Sequence, residues 1–420
     1  MFLLDASAIL LVLAALFGVF NHHVLKLPFT IGMLVSGLAG SIGVLLVDTL
    51  VPSIELAATI KAMVLEVDFA DAVLSGMLSL LLFAGALHTD LNRLREWLTA
   101  ILTLATVGVV ISTVLAGLLA YAVFGLVGIE ISLAWCMVFG ALITPTDPIA
   151  VLGILKSAGA PKSLEIKVVG ESLFNDGVGV VVFTILVGVA SSVGADLNAA
   201  DVAILLGQEV GGGVALGLVV GYLCYLALRT LDEPNLEILI TLAGVFGIGL
   251  VASRLHLSAP LAAVIAGLFL GNHGREHAMS DRTESTLDTV WTFIDETLNA
   301  LLFLLIGVEL LAIDYSRSDY IIAGVLLIPA VLGARLLGVA TPLTVLRRRL
   351  DIGPGTIPVL TWGGLKGGIS IALAMKMPDF PGRNAVLTVT YAIVVFSIIV
   401  QGLSVGPLIR RLTGSASKAS

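Results

Sequence analysis

The chain has 420 residues, 58% hydrophobic and 12% charged, with a mean hydropathy of +1.08. A water-soluble chain of this size carries about 25% charged residues, so water is excluded as its main solvent. The net charge of −8 is scattered over loops and isolated positions, and no basic tract points to nucleic acid.

The apolar material runs in blocks of roughly 18 to 28 residues, each long enough to cross a hydrocarbon core of about 30 Å as a helix. A transmembrane barrel would instead alternate in polarity over segments of about 10 residues. Thirteen spans are predicted, centred near residues 11, 38, 78, 111, 142, 177, 215, 244, 265, 302, 332, 366 and 399, which makes an all-α polytopic membrane protein. They occupy 1–420 as a single transmembrane domain, with no room for a soluble tail domain.

The opening Met1-Phe2-Leu3-Leu4-Asp5 lacks a basic n-region, so the first block reads as a retained span. Span five contains Thr144-Pro145-Thr146-Asp147-Pro148, where each proline removes a backbone donor and pushes the preceding residue out of the α region. Span six carries Gly170-Glu171-Ser172-Leu173-Phe174-Asn175-Asp176-Gly177; Glu171 with Asn175, and Ser172 with Asp176, are four apart and form a polar stripe on one helical side. Asp295, Glu296 and Glu309 sit near span ends and read as interfacial. Span eleven holds a lone cation, Arg335, for which Glu171 is the available anion. Span twelve contains Gly363-Gly364-Leu365-Lys366-Gly367-Gly368, too glycine-rich for continuous helix. Cys136 and Cys224 lie far apart in apolar blocks and carry no redox or zinc signal.

Lysine and arginine are retained on the cytoplasmic side of a membrane. With the N-terminus outside and the C-terminus inside, fifteen of the 22 basic residues fall in cytoplasmic segments, among them Arg93, Lys156, Lys162, Arg275 and Arg347–Arg349, and five fall outside, Lys61, Arg254, Arg317, Lys376 and Arg383. Spans five and twelve are seven apart, an odd shift that reverses direction, so spans one to six and eight to thirteen read as inverted repeats. Two broken crossing helices at matching places of such repeats are the best pointer in a sequence to a transporter's binding site.

Ionisable groups deep in a span cost several kcal/mol and are functional candidates by default. Asp147, Asp176, the Ser172 hydroxyl and the Thr146 carbonyl are a suitable set of oxygen ligands for a desolvated sodium ion. A buried carboxylate is also neutralised by a proton, so the two ions compete for the same oxygens. Such competition makes an exchanger when the empty, charged site cannot cross. The plain alternative is that Asp147 and Asp176 are helix-breaking or interfacial residues with water access and no substrate. Lys366, where two half-helices meet, has the charge to compensate their negative C-terminal ends, or else snorkels to an interface.

These motifs, Thr144–Pro148, Glu171–Gly177, Ala334–Gly338 and Gly363–Gly368 in that order, resemble those of the monovalent cation:proton antiporters, a family that includes bacterial and archaeal sodium/proton exchangers and the animal sodium/hydrogen exchangers. The likeness covers nearly the whole chain. It implies a secondary transporter and not an enzyme, working in pH homeostasis in a prokaryotic plasma membrane. It also implies a homodimer with elevator-like alternating access: a dimerisation part at about 1–90 and 236–313, a core part at about 98–191 and 319–413, and a linker helix at about 202–229. By the same resemblance Asp176 is the principal ion and proton carrier, Asp147, Ser172 and Thr146 complete the site, Asn175 beside it marks electroneutral exchange, Glu171 pairs with Arg335, and no cofactor is needed. Lys366 departs from the family's usual arginine, and Ala84 stands where several prokaryotic members have glutamate.

Three other functions are chemically conceivable. Potassium/proton antiport uses the same ligands. An intramembrane aspartyl protease would also use two membrane aspartates, but with Gly-x-Gly-Asp or Tyr-Asp surroundings that neither has. A proton-coupled symporter of an organic solute would need a roomier site with aromatic or arginine contacts.

Overall fold

The computed structural model describes residues 2–51, 69–191, 204–312, 317–347, 352–353 and 355–413, and every statement below concerns these residues. Lys61, Arg348 and Arg349, used above for orientation, the first residues of the expected linker, and the final residues from 414 lie outside them.

Eight helices are long and apolar enough to cross a membrane. In chain order the elements are α1 (Phe2–Phe20), α2 (Phe29–Leu50), α3 (Leu78–Leu87, the end of an apolar helical stretch from Ala72), α4 (Leu91–Leu126), α5 (Leu133–Ile143), α6 (Ile149–Ser157), α7 (Lys162–Ser191), α8 (Ile204–Leu228), α9 (Pro234–Leu255), α10 (Ala259–Phe269), α11 (Asp281–Val308), α12 (Ser318–Leu346), α13 (Thr356–Trp362), α14 (Gly368–Lys376) and α15 (Arg383–Leu412). The expected spans near residues 78, 142, 265, 302 and 366 fall outside the eight. Each is short, interrupted, or, in α11, opened by a charged amphipathic half.

Helix starts follow ordinary capping chemistry. The Asp90 carboxylate accepts from the Asn92 and Arg93 amides at the start of α4, Ser258 caps α10, and Ser280 caps α11. Large apolar side chains such as Phe246, Val325 and Leu119 remain exposed on the outer surface, which suits lipid and not water as the surrounding medium.

Four apolar clusters organise the packing; the largest joins α2 and α11 (Ile31, Met33, Phe303, Ile306) to α12, α13 and α15 (Val339, Leu360, Ile398), and two of the others are more local. One of these gathers Phe124, Phe139, Leu142, Phe183, Leu327 and Val389, where α4 packs on α5 and α12. The second gathers Phe83, Leu228, Ile248, Leu270 and Trp291, where α3 and α8 pack on α10. The long helix α11 lies against α2, and a Cβ on Gly307 would stand 2.7 Å from the Gly37 Cα, so this crossing requires glycine.

Candidate functional site

The prolines act where the sequence places them. Helix α5 stops at Ile143, residues 144–148 are non-helical, and helix resumes at Ile149. In the glycine segment α13 stops at Trp362 and α14 starts at Gly368. The two interrupted stretches meet: the Asp147 amide donates to the Leu365 carbonyl at 2.8 Å, and the Lys366 Nζ donates to the Thr144 carbonyl at 2.9 Å and the Pro145 carbonyl at 3.4 Å. These carbonyls are freed by the end of α5, so the ammonium sits on the negative pole of a helix C-terminus. The Lys366 amide is held in turn by the Ser397 hydroxyl at 2.9 Å.

Close approach here depends on glycine. A Cβ on Gly367 would lie 2.8 Å from both Cβ and Oδ2 of Asp147, and one on Gly364 would lie 2.7 Å from Nε of Arg335.

The polar stripe of α7 faces this crossing. Ser172 Oγ lies 3.0 Å from Thr146 Oγ1, and the Asn175 amide donates to Glu171 Oε1 at 3.0 Å and to Thr146 Oγ1 at 3.4 Å. Arg335, from α12, grips Glu171 with both Nη atoms and also reaches the Leu360 carbonyl. Asp176 is 2% exposed, and its Oδ1 has no hydrogen-bond partner among the described residues.

A cavity of about 580 Å³ runs from helix ends around His88, Arg93, Lys156 and Lys162 to Thr146, Asp147 and Asp176. Thr146, Asp147, Ser172, Asn175 and Asp176 are therefore brought together, with the two aspartates and Thr146 on the cavity wall. Ser172 and Asn175 stand behind that wall, Asn175 bridging Glu171 and Thr146. Ala84 is fully buried in the α3/α10 core and does not line the cavity, although its neighbour Gly85 does.

Two cavity residues escaped the sequence reading. Asp295, read there as interfacial, lines the cavity with Asn299 one turn on, while its neighbour Glu296 is exposed on another side of α11 and Glu309 is buried. The spacing of Thr292, Asp295 and Asn299 at three and four residues was the available signal. At the mouth, outside the spans, Asp288 pairs with Arg275 and lies 3.3 Å from His88 Nδ1. Burial holds the His88 imidazole below the usual histidine pKa; Asp288 opposes this, and Arg275 and Lys156 add to it.

Comparison with known proteins places the chain among transporters. A family described as "Sodium/hydrogen exchanger, transmembrane" matches residues 10–411. The Na(+)/H(+) antiporter NhaP of Pseudomonas aeruginosa is 47% identical over 414 residues, covering 98% of this chain and 97% of that one. The Na(+)/H(+) antiporter NhaH of Halobacillus dabanensis is 34% identical over 369 residues, with 82% and 84% covered. The solved structure of the sodium proton antiporter MjNhaP1 from Methanocaldococcus jannaschii at pH 8 superposes with a TM-score of 0.77 at 20% identity, covering 99% of this chain and 100% of that one, and so shares the fold.

Proposed function

The chain belongs to the sodium/hydrogen exchanger family and is a secondary transporter, and we propose that it exchanges sodium for protons by competition of the two ions for the Asp176 carboxylate. The observation that carries this reading is a buried aspartate, one carboxylate oxygen of which has no hydrogen-bond partner among the described residues, on the wall of a cavity that a second aspartate also lines. Asp147 and Thr146 supply further oxygens from the cavity wall, the Ser172 hydroxyl behind it, 3.0 Å from Thr146 Oγ1, turns in to complete the set when the ion is seated, and no cofactor enters the cycle. NhaP of Pseudomonas aeruginosa and NhaH of Halobacillus dabanensis, by name Na(+)/H(+) antiporters, support sodium as the cation.

Charge at the site supports one-for-one, electroneutral exchange. Counted at formal charge, Arg335 balances Glu171 and Lys366 balances one of Asp147 and Asp176, which leaves one negative charge in excess at the deep site. One proton or one monovalent cation neutralises it, and Asn175 adds no charge. The emptied site keeps its charge and does not cross, which couples the two fluxes.

The meeting of the two interrupted stretches supports a thirteen-span fold of inverted repeats with crossing half-helices at spans five and twelve. An elevator motion of a core part against a dimerisation part, in a homodimer, would slide along the largest apolar cluster, which joins α2 and α11 to α12, α13 and α15 largely through side chains without hydrogen-bonding groups. The basic residues around the cavity mouth fit a cytoplasm-facing state, with the N-terminus outside. In everted vesicles a sodium pulse is expected to dissipate a preset pH gradient, and Asp176→Ala to abolish the response. Full activity in that variant refutes the assignment. Potassium and lithium pulses in parallel rank the cations.

A further inference from the structure

We propose that Asp295, Asn299 and Thr292 form a second, shallower cation site on the cavity wall, where a partly hydrated monovalent cation is held before it reaches Asp176. The proposal rests on the antiport reading above and adds a station to its path.

Along α11, Thr292, Asp295, Asn299 and Leu302 recur at three, four and three residues, so they form one stripe, and all four line the cavity. The stripe spans the depth of the cavity. Four residues before Thr292, Asp288 is engaged by Arg275 and His88 at the mouth; at the far end the Leu302 side chain packs against Gly368, at the start of α14. Asp295 is thus a carboxylate part-way down a path whose mouth is basic, on the wall of the same cavity as Asp147.

Asn299 supplies the independent indication of a ligand. Its side chain is 1% exposed, and its Nδ2 donates to the Asp295 carbonyl at 2.8 Å and to the Asp295 carboxylate at 3.1 Å. The amide hydrogens are committed to the helix itself, and Oδ1 has no hydrogen-bond partner among the described residues. A buried amide oxygen left without a donor is unfavourable, and a cation satisfies it as a donor would. The same amide steadies the carboxylate it would share the ion with. One carboxylate, one amide oxygen and one hydroxyl are too few for calcium, which takes six to eight oxygens. They suit a singly charged ion that retains part of its water.

The test compares sodium-dependent exchange by purified protein in liposomes for the wild type, Asp295→Asn, Asp295→Glu and Asp176→Asn. Asp295→Asn is expected to raise the KM for sodium about five-fold, with a smaller effect on kcat, and Asp295→Glu to restore it. An unchanged KM in Asp295→Asn overturns the proposal, and an inert Asp176→Asn alongside it leaves the antiport reading standing. Activity in Asp176→Asn sinks that reading instead. If both Asp295 variants fail to fold, crystals of the wild type soaked in thallium(I) decide: an anomalous peak between Asp295 and Asn299 supports the site, and no peak there overturns it.

Discussion

The Arg335 guanidinium meets the Glu171 carboxylate as a two-point pair, Nη1 to Oε1 at 2.8 Å and Nη2 to Oε2 at 2.7 Å, across 164 residues of sequence. Both side chains are almost wholly enclosed. Since Asn175 also donates to Glu171, and Arg335 also donates to Leu360, the pair ties α7, α12 and α13 together directly behind the ion site.

Breaking this pair from one side leaves a buried charge uncompensated, at a cost of about 3 to 5 kcal/mol. Arg335→Ala and Glu171→Ala are each expected to lower the melting temperature of the purified protein sharply, whereas the double variant Glu171→Gln with Arg335→Met loses less than either. A double variant as damaged as the sum of the singles contradicts the pairing role. Arg335→Lys keeps the charge but loses the planar fork, and is expected to fall between.

Lys366 holds the carbonyls at the end of α5 through a flexible ammonium. Lys366→Ala is expected to cost about 1.5 to 3 kcal/mol, the range for a hydrogen bond to a charged group, as seen in thermal unfolding in detergent. It also removes the charge that offsets an aspartate, so sodium-driven exchange by this variant is expected to become electrogenic or to stop. Unchanged electroneutral exchange in Lys366→Ala would falsify the charge count at the site.

Gly367→Ala places a methyl 2.8 Å from Asp147, whose backbone is held by the hydrogen bond from its N–H to the Leu365 carbonyl. Displacing a reacting group by about 1 Å costs on the order of 100-fold in rate. Exchange by Gly367→Ala is therefore expected to fall by about that factor in liposomes, while the protein still purifies as a folded species. Normal turnover would mean that Asp147 is not held in place by this contact.

How far the sequence carries depends on how local the determinant is. The membrane class follows from composition, and the interruptions at 144–148 and 363–367 follow from prolines and glycines acting on their own backbone. The partnership of Glu171 with Arg335 was reachable because few buried charges are available to pair. The place of Asp295 on the cavity wall was not legible, because hydropathy alone puts a carboxylate near a span end, whereas the side of α11 that faces the cavity is set by packing. The bond from Asn175 to Thr146 and the seat of Lys366 on Thr144 and Pro145 arise only when distant segments meet.

His88 lies at the cavity mouth with its imidazole held below the usual histidine value by burial. It is therefore neutral at pH 7. A group with a depressed folded pKa contributes stability above the unfolded value of about 6.5 and loses it as pH falls through the folded value. The wild type is expected to lose melting temperature more steeply than His88→Gln on acidification below pH 6.5, by a modest margin because the side chain is about one-third exposed. Parallel curves for the two proteins contradict this environment.

The central claim is that sodium and a proton exclude each other at one carboxylate. The direct measurement is the apparent KM for sodium of the purified protein in liposomes over a series of pH values, with Asp176→Asn as control. Competition predicts a KM that rises up to tenfold for each unit of acidification while the maximal rate at saturating sodium is unchanged, and an inert control. A KM independent of pH, or sodium-driven proton movement by Asp176→Asn, contradicts it.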